Sequence, residues 1–181
     1  TYEATNEFWG GDPNYTYPSN AALEAGQTNV TYTDLLYSLM LPSACDSANV
    51  LALNIAGSIP AFVDMMNAKA EEIGCTNTHF ANAHGLYSAD NYSTVKDMYL
   101  ITRYAIDNYP GFMKICDTKY YDMPANSNNP NGYTKTTTNQ LMLDGDYYYE
   151  GVHGVKTGSI NEYYEYKNGT WDTENPKEGI M

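Results

Sequence analysis

The sequence predicts a mixed α/β fold in which a helical cluster over residues 31–108 is followed by strand-forming segments. Apolar side chains recur at helical spacing in four stretches of this region, and Pro42 separates the first stretch from the second. Beyond the cluster, Asn168-Gly169 lies between a Tyr-rich and a Thr-Trp segment, which predicts a β-hairpin. A chain of 181 residues can build one domain, or most of one.

Residues 34–57 contain two of the helical patterns, and a short polar sequence, SACD, lies at their junction. Thr31, with Asp34 three residues later, forms a capping-box signature before the first helix, and Pro42 ends that helix. The second helix is predicted to end at Gly57. Its apolar face consists of Ala44, Ala48, Leu51, Ala52 and Ile55.

Ser43 stands at this junction, immediately before the second helix. Packing on both sides would hold its hydroxyl in a fixed position, which a catalytic group requires. The alternative is that Ser43 serves only as a helix N-cap, which is the common role of a serine before a helix.

Two further helices are predicted in the cluster. Ser58 marks the start of the third helix and Gly74 marks its end. The apolar stripe of the third helix is predicted to lie in the core and consists of Phe62, Met65, Met66, Ala70 and Ile73. Thr94 and Asp97 form the capping signature of the fourth helix. Its apolar pattern continues through Val95, Met98, Ile101 and Ala105.

The overall composition excludes several classes of protein. Nine Lys and Arg against 22 Asp and Glu give a net charge of −13, which argues against binding of nucleic acid. No apolar run approaches the ~18 residues of a membrane span. The three cysteines, Cys45, Cys75 and Cys116, include no C-x-x-C pair, so neither a disulfide framework nor a zinc site is expected. The sequence predicts no metal and no other cofactor.

A glycine-rich stretch, GVHGVKTGS at residues 151–159, contains the sequence Lys-Thr-Gly. Two longer stretches precede it: LEAGQTNVTYTDLLYSLMLPSACDSANVLA around Ser43, then HFANAHGLYSADNYSTVKDMYLITRYA. In these three stretches and their order, the sequence from about Ala21 to Tyr166 resembles the penicillin-recognising serine enzymes. More narrowly, it resembles the D-alanyl-D-alanine carboxypeptidases of peptidase family S11.

The resemblance implies a fold and a reaction. The fold is a helical cluster beside an antiparallel sheet, which includes a strand at residues 152–159. The reaction removes the terminal D-alanine from peptidoglycan stem peptides that end in D-Ala-D-Ala, and it proceeds through an acyl-enzyme. β-Lactam antibiotics would bind the complete enzyme. Such an enzyme works in the bacterial cell envelope or outside the cell, and membrane association would come only from segments outside this sequence.

The resemblance also implies roles for individual residues. In the family that the sequence resembles, a Ser-x-Asn element and a Lys-Thr-Gly element line one cleft. Ser43 is the serine of the Ser-x-Asn element and relays a proton toward the departing D-alanine. Lys156 and Thr157 bind the terminal carboxylate of the substrate through charge-assisted hydrogen bonds. Gly158 lets the strand approach the substrate closely, and the backbone N–H of Ser159 donates to the oxyanion.

Two features depart from the family pattern. Cys45 stands where the family usually has asparagine, so a weak thiol partner replaces an amide in the catalytic element. A Ser-x-x-Lys nucleophile and base are missing from the residues before Ser43. The match from Ser93 to Lys96 comes too late in the chain, and a helix-capping pattern accounts for it. We therefore expect an incomplete catalytic domain that is inactive by itself.

The predicted domain organisation follows from these motifs. Residues 1–20 are predicted to form a loop that continues from a missing N-terminal part, residues 21–166 a partial catalytic domain, and residues 167–181 a truncated C-terminal hairpin. Two other functions remain open on the same fold. One is a β-lactamase-like hydrolase, and the other is a non-catalytic module that binds the cell wall.

Overall fold

The computed structural model describes residues 19–86 and 88–158, together with the backbone of short strand segments after residue 159. The helices are α1 (Tyr32–Met40), α2 (Cys45–Ala56), α3 (Ile59–Ile73), α4 (Val95–Asn108) and α5 (Gly111–Cys116). The strands are β1 (Tyr120–Met123), β2 (Tyr133–Thr136), β3 (Ile160–Tyr163), β4 (Tyr166–Lys167), β5 (Thr170–Trp171) and β6 (Lys177–Gly179). The predicted mixed fold, helices first and strands after them, is confirmed. The predicted domain boundaries stay predictions.

The strands form antiparallel pairs, β1 with β2, β3 with β6, and β4 with β5. Lys167 pairs with Thr170 across the predicted hairpin turn, whose two residues lie outside the described part of the chain. The prediction of a strand at residues 152–159 is wrong for residues 152–158, which have no regular secondary structure. In the described structure this segment has no neighbouring strand to pair with, and a side chain binds it instead. Asn139 Nδ2 donates to the carbonyl of Gly154 at 3.3 Å.

Thr31 caps α1 as predicted. Its side chain accepts a hydrogen bond from Asp34 N at 3.2 Å, and its backbone N–H donates to Asp34 Oδ2 at 2.6 Å. Asp34 Oδ1 accepts a further bond from the hydroxyl of Tyr121 in β1 at 2.7 Å. Burial raises the pKa of Asp34, but these hydrogen bonds outweigh burial and leave the pKa below its ordinary value. Asp34 is therefore ionised at neutral pH and fastens α1 to β1.

α2 has one largely buried face. The buried residues include Ala44, Ala48, Leu51 and Ala52, as predicted. The helix ends at Gly57, which has a φ of +78° and donates its N–H to Leu53 O at 2.9 Å. Ile55, the last residue of the predicted apolar face, is 52% exposed.

α3 and α4 begin with the predicted caps. The Ser58 side chain accepts from Ala61 N at 3.2 Å at the start of α3. The Thr94 side chain accepts from Asp97 N at 3.1 Å at the start of α4. Gly74 ends α3 in the left-handed conformation, with a φ of +93°. Side chains therefore fix the N-terminal ends of these two helices, whereas a backbone N–H at Gly74 fixes the C-terminal end of α3.

The prediction that the apolar stripe of α3 lies in the core is wrong. Met65 is 51% exposed, and of the stripe only Ala70 is buried. The stripe instead lines an open groove of about 350 Å³ together with Phe80 and with Ile101 of α4. α4 likewise leaves Met98 half exposed. Among the described residues, α3 and α4 therefore bury little of each other's apolar surface.

Residues 19–23 have no regular secondary structure, yet they are tied firmly to α2. Asp46, the last residue of SACD, accepts from the backbone N–H of Ala21 at 2.8 Å and from that of Leu23 at 3.2 Å. A small buried cluster supports this contact and consists of Ala21, Ala44 and Met123. Residues 19–23 thereby hold the beginning of α2 in place. The loop predicted at residues 1–20 otherwise lies outside the described residues.

Within the described ranges, no single helix is long and apolar enough to cross a membrane. α2 and α3 reach that length and composition only as a pair, and they are bent by 87° at the break between them.

Candidate active site

The turn before α2 presents Ser43. Its φ of +64° lies in the left-handed region, which residues other than glycine rarely adopt. The N-cap residue of α2 is Ala44, so the alternative that Ser43 is only an N-cap is wrong. Two backbone bonds fix the turn: Ala44 N donates to Ser38 O at 3.0 Å, and Cys45 N donates to Ser19 O at 2.8 Å. Uncommon backbone conformations held in this way cluster at functional sites.

Lys156 meets Ser43 although 113 positions separate the two residues in the sequence. The ammonium donates to Ser43 Oγ and, at 2.7 Å, to the carbonyl oxygen of Thr157. Partial burial of the ammonium lowers the pKa of Lys156 from its ordinary value. The side chain nevertheless remains accessible from solvent. The fold therefore brings the predicted serine and lysine together at a place that a substrate can reach.

Thr157 is held by a polar segment that the sequence analysis did not single out. Its Oγ1 is hydrogen-bonded to Oγ1 of Thr138. Thr138 in turn donates to the carbonyl of Leu41, from its backbone N at 3.1 Å and from its hydroxyl at 3.2 Å. Leu41 lies two residues before Ser43, so Thr138 connects the Ser43 turn to the Lys-Thr-Gly sequence.

Gly154 allows the segment before Lys156 to approach α5 very closely. A Cβ at this position would lie 2.7 Å from Cβ of Cys116, and the φ of Gly154 is +54°. Only glycine fits both the contact and the backbone conformation. Sequence analysis missed Gly154, Thr138 and Asn139 because their partners lie far away along the chain. No local spacing signal marks any of them.

Cys45 is buried beside this site. Burial, together with the nearby Asp46 carboxylate, raises the pKa of the Cys45 thiol to about 11, although the Lys156 ammonium opposes the shift. The thiol is therefore neutral at physiological pH and is not a nucleophile there. Its Sγ lies 3.8 Å from the carbonyl oxygen of Ser43, to which it donates a weak hydrogen bond. Cys45 thus packs against the Ser43 turn, and its predicted place in the catalytic element stays a prediction.

The remaining predicted site residues are less fully described. Gly158 is exposed and has no regular secondary structure. Ser159 lies outside the described residues, so its predicted oxyanion contact stays a prediction. In the part of the chain that the structure describes, no group of His, Cys, Asp and Glu side chains is arranged to hold a metal ion.

The Ser-x-x-Lys match at Ser93 belongs to a helix cap. Ser93 directly precedes Thr94, the N-cap of α4, and its Oγ lies 2.9 Å from Thr78 Oγ1. Thr78 also donates to the buried carboxylate of Asp97 at 2.9 Å. Hydrogen bonds, the largest from the backbone N–H of Asn77, lower the pKa of Asp97. Ser93 therefore belongs to the polar network at the start of α4.

Comparison with known proteins places these features in one family. The profile of the D-alanyl-D-alanine carboxypeptidase family, peptidase S11, matches residues 9–164. The D-alanyl-D-alanine carboxypeptidase of Streptomyces sp. (strain K15) is 36% identical over 151 residues, which cover 78% of this chain and 50% of the relative. DacA of Escherichia coli (strain K12), also a D-alanyl-D-alanine carboxypeptidase, is 32% identical over 158 residues, 87% of this chain and 36% of the relative.

Solved structures support the same assignment. The crystal structure of the Streptomyces K15 DD-transpeptidase superposes with a TM-score of 0.67 at 33% identity, covering 83% of this chain and 61% of that one. Variants of that transpeptidase replace a serine and, two positions later, a cysteine by alanine, which is the spacing of Ser43 and Cys45. The chain spans half or less of the length of the two curated relatives above. With its profile match and its helices followed by antiparallel strand pairs, it belongs to the D-alanyl-D-alanine carboxypeptidase family, peptidase S11.

Proposed function

We propose that this chain supplies the Ser43 and Lys-Thr-Gly side of the active site of a serine-type D-alanyl-D-alanine carboxypeptidase. The observation that carries the proposal is the hydrogen bond from the Lys156 ammonium to Ser43 Oγ. A cation and a hydroxyl converge there at an accessible position between the start of α2 and residues 152–158. The substrates are peptidoglycan stem peptides that end in D-Ala-D-Ala, and β-lactam antibiotics are ligands of the same site.

The chemistry of these residues suits a substrate with a free terminal carboxylate. Lys156 offers a positive charge and Thr157 a hydroxyl on adjacent residues, and both can donate to one carboxylate. Partial desolvation of Lys156 strengthens its attraction for an anion compared with a lysine in open water. Ser43, in contact with Lys156, is placed to pass a proton to the amine of the departing D-alanine.

The nucleophile of the reaction is not assigned to a residue of this chain. The Ser-x-x-Lys match at Ser93 is used in the cap of α4. The thiol of Cys45 is kept neutral by burial. Acylation therefore requires a Ser-x-x-Lys element from another part of the protein. Because the substrate is peptidoglycan, we place the activity in the bacterial cell envelope.

Lys156→Ala in the complete enzyme tests this function. Hydrogen bonds to charged groups contribute about 1.5–3 kcal/mol, so kcat/KM for a peptide ending in D-Ala-D-Ala should fall roughly ten- to a hundredfold. The exposed Lys114 in α5 offers a matched control, and Lys114→Ala should leave kcat/KM unchanged.

A second substrate separates carboxylate binding from a general loss of activity. A peptide whose terminal carboxylate is amidated lacks the group that Lys156 binds. It should be a poor substrate already, and Lys156→Ala should reduce its turnover little further. Equal damage to both substrates would contradict the assigned role of Lys156.

A further inference from the structure

The side-chain hydroxyls of Thr138 and Thr157 form a pair in which each hydroxyl has only one proton to donate. Thr138 Oγ1 is hydrogen-bonded to Thr157 Oγ1, and it also lies 3.2 Å from the carbonyl oxygen of Leu41. Because a carbonyl oxygen can only accept, Thr138 is the donor in its contact with Leu41. Thr138 then has no second proton for Thr157, so Thr157 donates to Thr138.

This direction of donation differs from the one that the substrate requires. Thr157 is assigned to donate its hydroxyl proton to the terminal carboxylate of the substrate, and an ionised carboxylate can only accept. In the arrangement without substrate, that proton is already engaged with Thr138. Thr157 therefore has to turn its proton from Thr138 to the carboxylate when the substrate binds. Two hydroxyl oxygens would then face each other without a proton, unless Thr138 turns its own proton as well.

A backbone hydrogen bond at Leu41 allows Thr138 to turn its proton. The carbonyl of Leu41 also accepts from the backbone N–H of Thr138, at 3.1 Å. It keeps this donor when the Thr138 hydroxyl turns toward Thr157, so the change leaves no acceptor without a partner. The result is a chain in which Thr138 donates to Thr157 and Thr157 donates to the carboxylate. Hydrogen bonds in such a chain strengthen one another, and the bond to the charged group is the strongest.

We propose that Thr138 is a positioning residue for recognition of the substrate carboxylate, because its hydroxyl turns from Leu41 to Thr157 on binding and holds the Thr157 hydroxyl as a donor. This inference rests on the proposed function, since it takes Thr157 to bind the terminal carboxylate. A terminal amide carries no charge and gains less from the same chain of hydrogen bonds. Thr138 therefore contributes to the preference for a free carboxylate over an amide.

A ratio of rates in the complete enzyme measures this contribution. The ratio divides kcat/KM for a peptide ending in free D-Ala-D-Ala by kcat/KM for the same peptide with a terminal amide. Thr138→Val keeps the shape of the side chain without the hydroxyl and should lower the ratio roughly two- to tenfold, the effect of one neutral hydrogen bond. Thr138→Ser keeps the hydroxyl and should restore the ratio. Thr136→Val, at an exposed position of β2, is the matched control and should leave it unchanged.

A double variant tests whether Thr138 acts through Thr157. In a Thr157→Val background, Thr138→Val should lower the ratio no further, because the hydroxyl that Thr138 positions is gone. A further fall as large as in the single variant would show that Thr138 contacts the substrate directly, which would overturn the proposal.

A purely structural role of Thr138 predicts a different result. Thr138 is exposed, and Leu41 keeps its backbone bond, so Thr138→Val should unfold at the same temperature as the unchanged enzyme. Equal losses of kcat/KM for the acid and the amide, with the ratio unchanged, would show that the substitution disturbs the Ser43 turn in general. That outcome would also overturn the proposal.

Lys156→Ala separates this proposal from the proposed function. An unchanged ratio in Thr138→Val, together with a lowered ratio in Lys156→Ala, would overturn the role of Thr138 and leave the proposed function standing. A ratio that Thr138→Val lowers and Lys156→Ala leaves unchanged would support the pair of threonines as the carboxylate site. It would contradict the role assigned to Lys156.

Discussion

The Ser43–Lys156 site and the α3–α4 face are built in opposite ways. At the site, residues far apart in sequence are joined by hydrogen bonds: Thr138 connects Leu41 to Thr157, and Lys156 contacts Ser43. On the α3–α4 face, the residue directly before each helix caps its N-terminal end. The apolar side chains between the two helices nevertheless line an open groove. Local signals are therefore enough to define a helix, whereas a functional site requires contacts between distant parts of the chain.

The largest expected effect is at Leu41, which connects these long-range contacts to α1. Its side chain is 1% exposed and its carbonyl accepts two bonds from Thr138. Leu41→Ala should lower the free energy of unfolding by about 2–5 kcal/mol, because it leaves a cavity in a packed region. Leu36, which is 39% exposed on α1, is the matched control.

Urea denaturation of both variants measures the difference. Leu36→Ala should lower the free energy of unfolding by less than about 1 kcal/mol, since much of its side chain already contacts water. Similar losses for the two variants would show that the turn before Ser43 is no better packed than the surface of α1.

A somewhat smaller effect is expected at Asp46, which fastens residues 19–23 to α2. Its two carboxylate oxygens accept hydrogen bonds from the backbone N–H groups of Ala21 and Leu23. In asparagine an NH2 group replaces one of these oxygens, so one of the two backbone N–H groups would lose its acceptor and face another donor. Hydrogen bonds to charged groups contribute about 1.5–3 kcal/mol, so Asp46→Asn should lower the free energy of unfolding by that amount. Chemical denaturation measures it, and Asp64→Asn, at an exposed position of α3, should change stability by less than about 0.5 kcal/mol. Equal values would contradict the role of Asp46.

The sequence alone was enough to predict structural features that depend on residues close together in the chain. The caps at Thr31, Ser58 and Thr94 could be predicted because each partner lies three residues away. The contact between Lys156 and Ser43 could be anticipated only through the family resemblance, since no periodicity joins positions 113 apart.

Other features could not be predicted from the sequence. Thr138 lies in the repetitive polar sequence TTTNQ, where no residue is marked by spacing or type. The apolar period of α3 was recognised correctly, but a period indicates only which side chains share a face. Whether another segment covers that face depends on the rest of the fold. For this reason the core prediction was wrong at Met65 although the helix itself was right.

The contact between α1 and β1 makes stability depend on pH. The pKa of Asp34 is lowered in the folded state, so its contribution is fully present above the unfolded pKa, about 3.9, and is lost as pH falls through the folded value. Tyr121→Phe removes one of the bonds that lower this pKa. The variant should therefore lose about 1 kcal/mol at pH 7 and show a shallower decline in stability below about pH 4.

Denaturation at a series of pH values checks this expectation. Tyr120, the exposed neighbour of Tyr121 in β1, provides the control. Tyr120→Phe should leave both the stability at pH 7 and its decline in acid unchanged. A decline in Tyr121→Phe that is as steep as in the unchanged chain would assign the acid sensitivity to other carboxylates.

The smallest effect is expected in the open groove between α3 and α4. Replacing a fully buried methionine by alanine lowers the free energy of unfolding by about 2–5 kcal/mol. Met65 is 51% exposed, so only about half of its surface is buried and the loss should be smaller. Met65→Ala should therefore lower the free energy of unfolding of this chain by less than about 1 kcal/mol, an effect reduced further by the good helix propensity of alanine. Urea denaturation of Met65→Ala and Leu41→Ala measures the smallest and the largest of the expected losses in the free energy of unfolding. A loss at Met65 as large as the loss at Leu41 would show that the groove is covered in solution by residues outside those described, and the contrast between a tightly bonded site and an open helix face would then no longer apply.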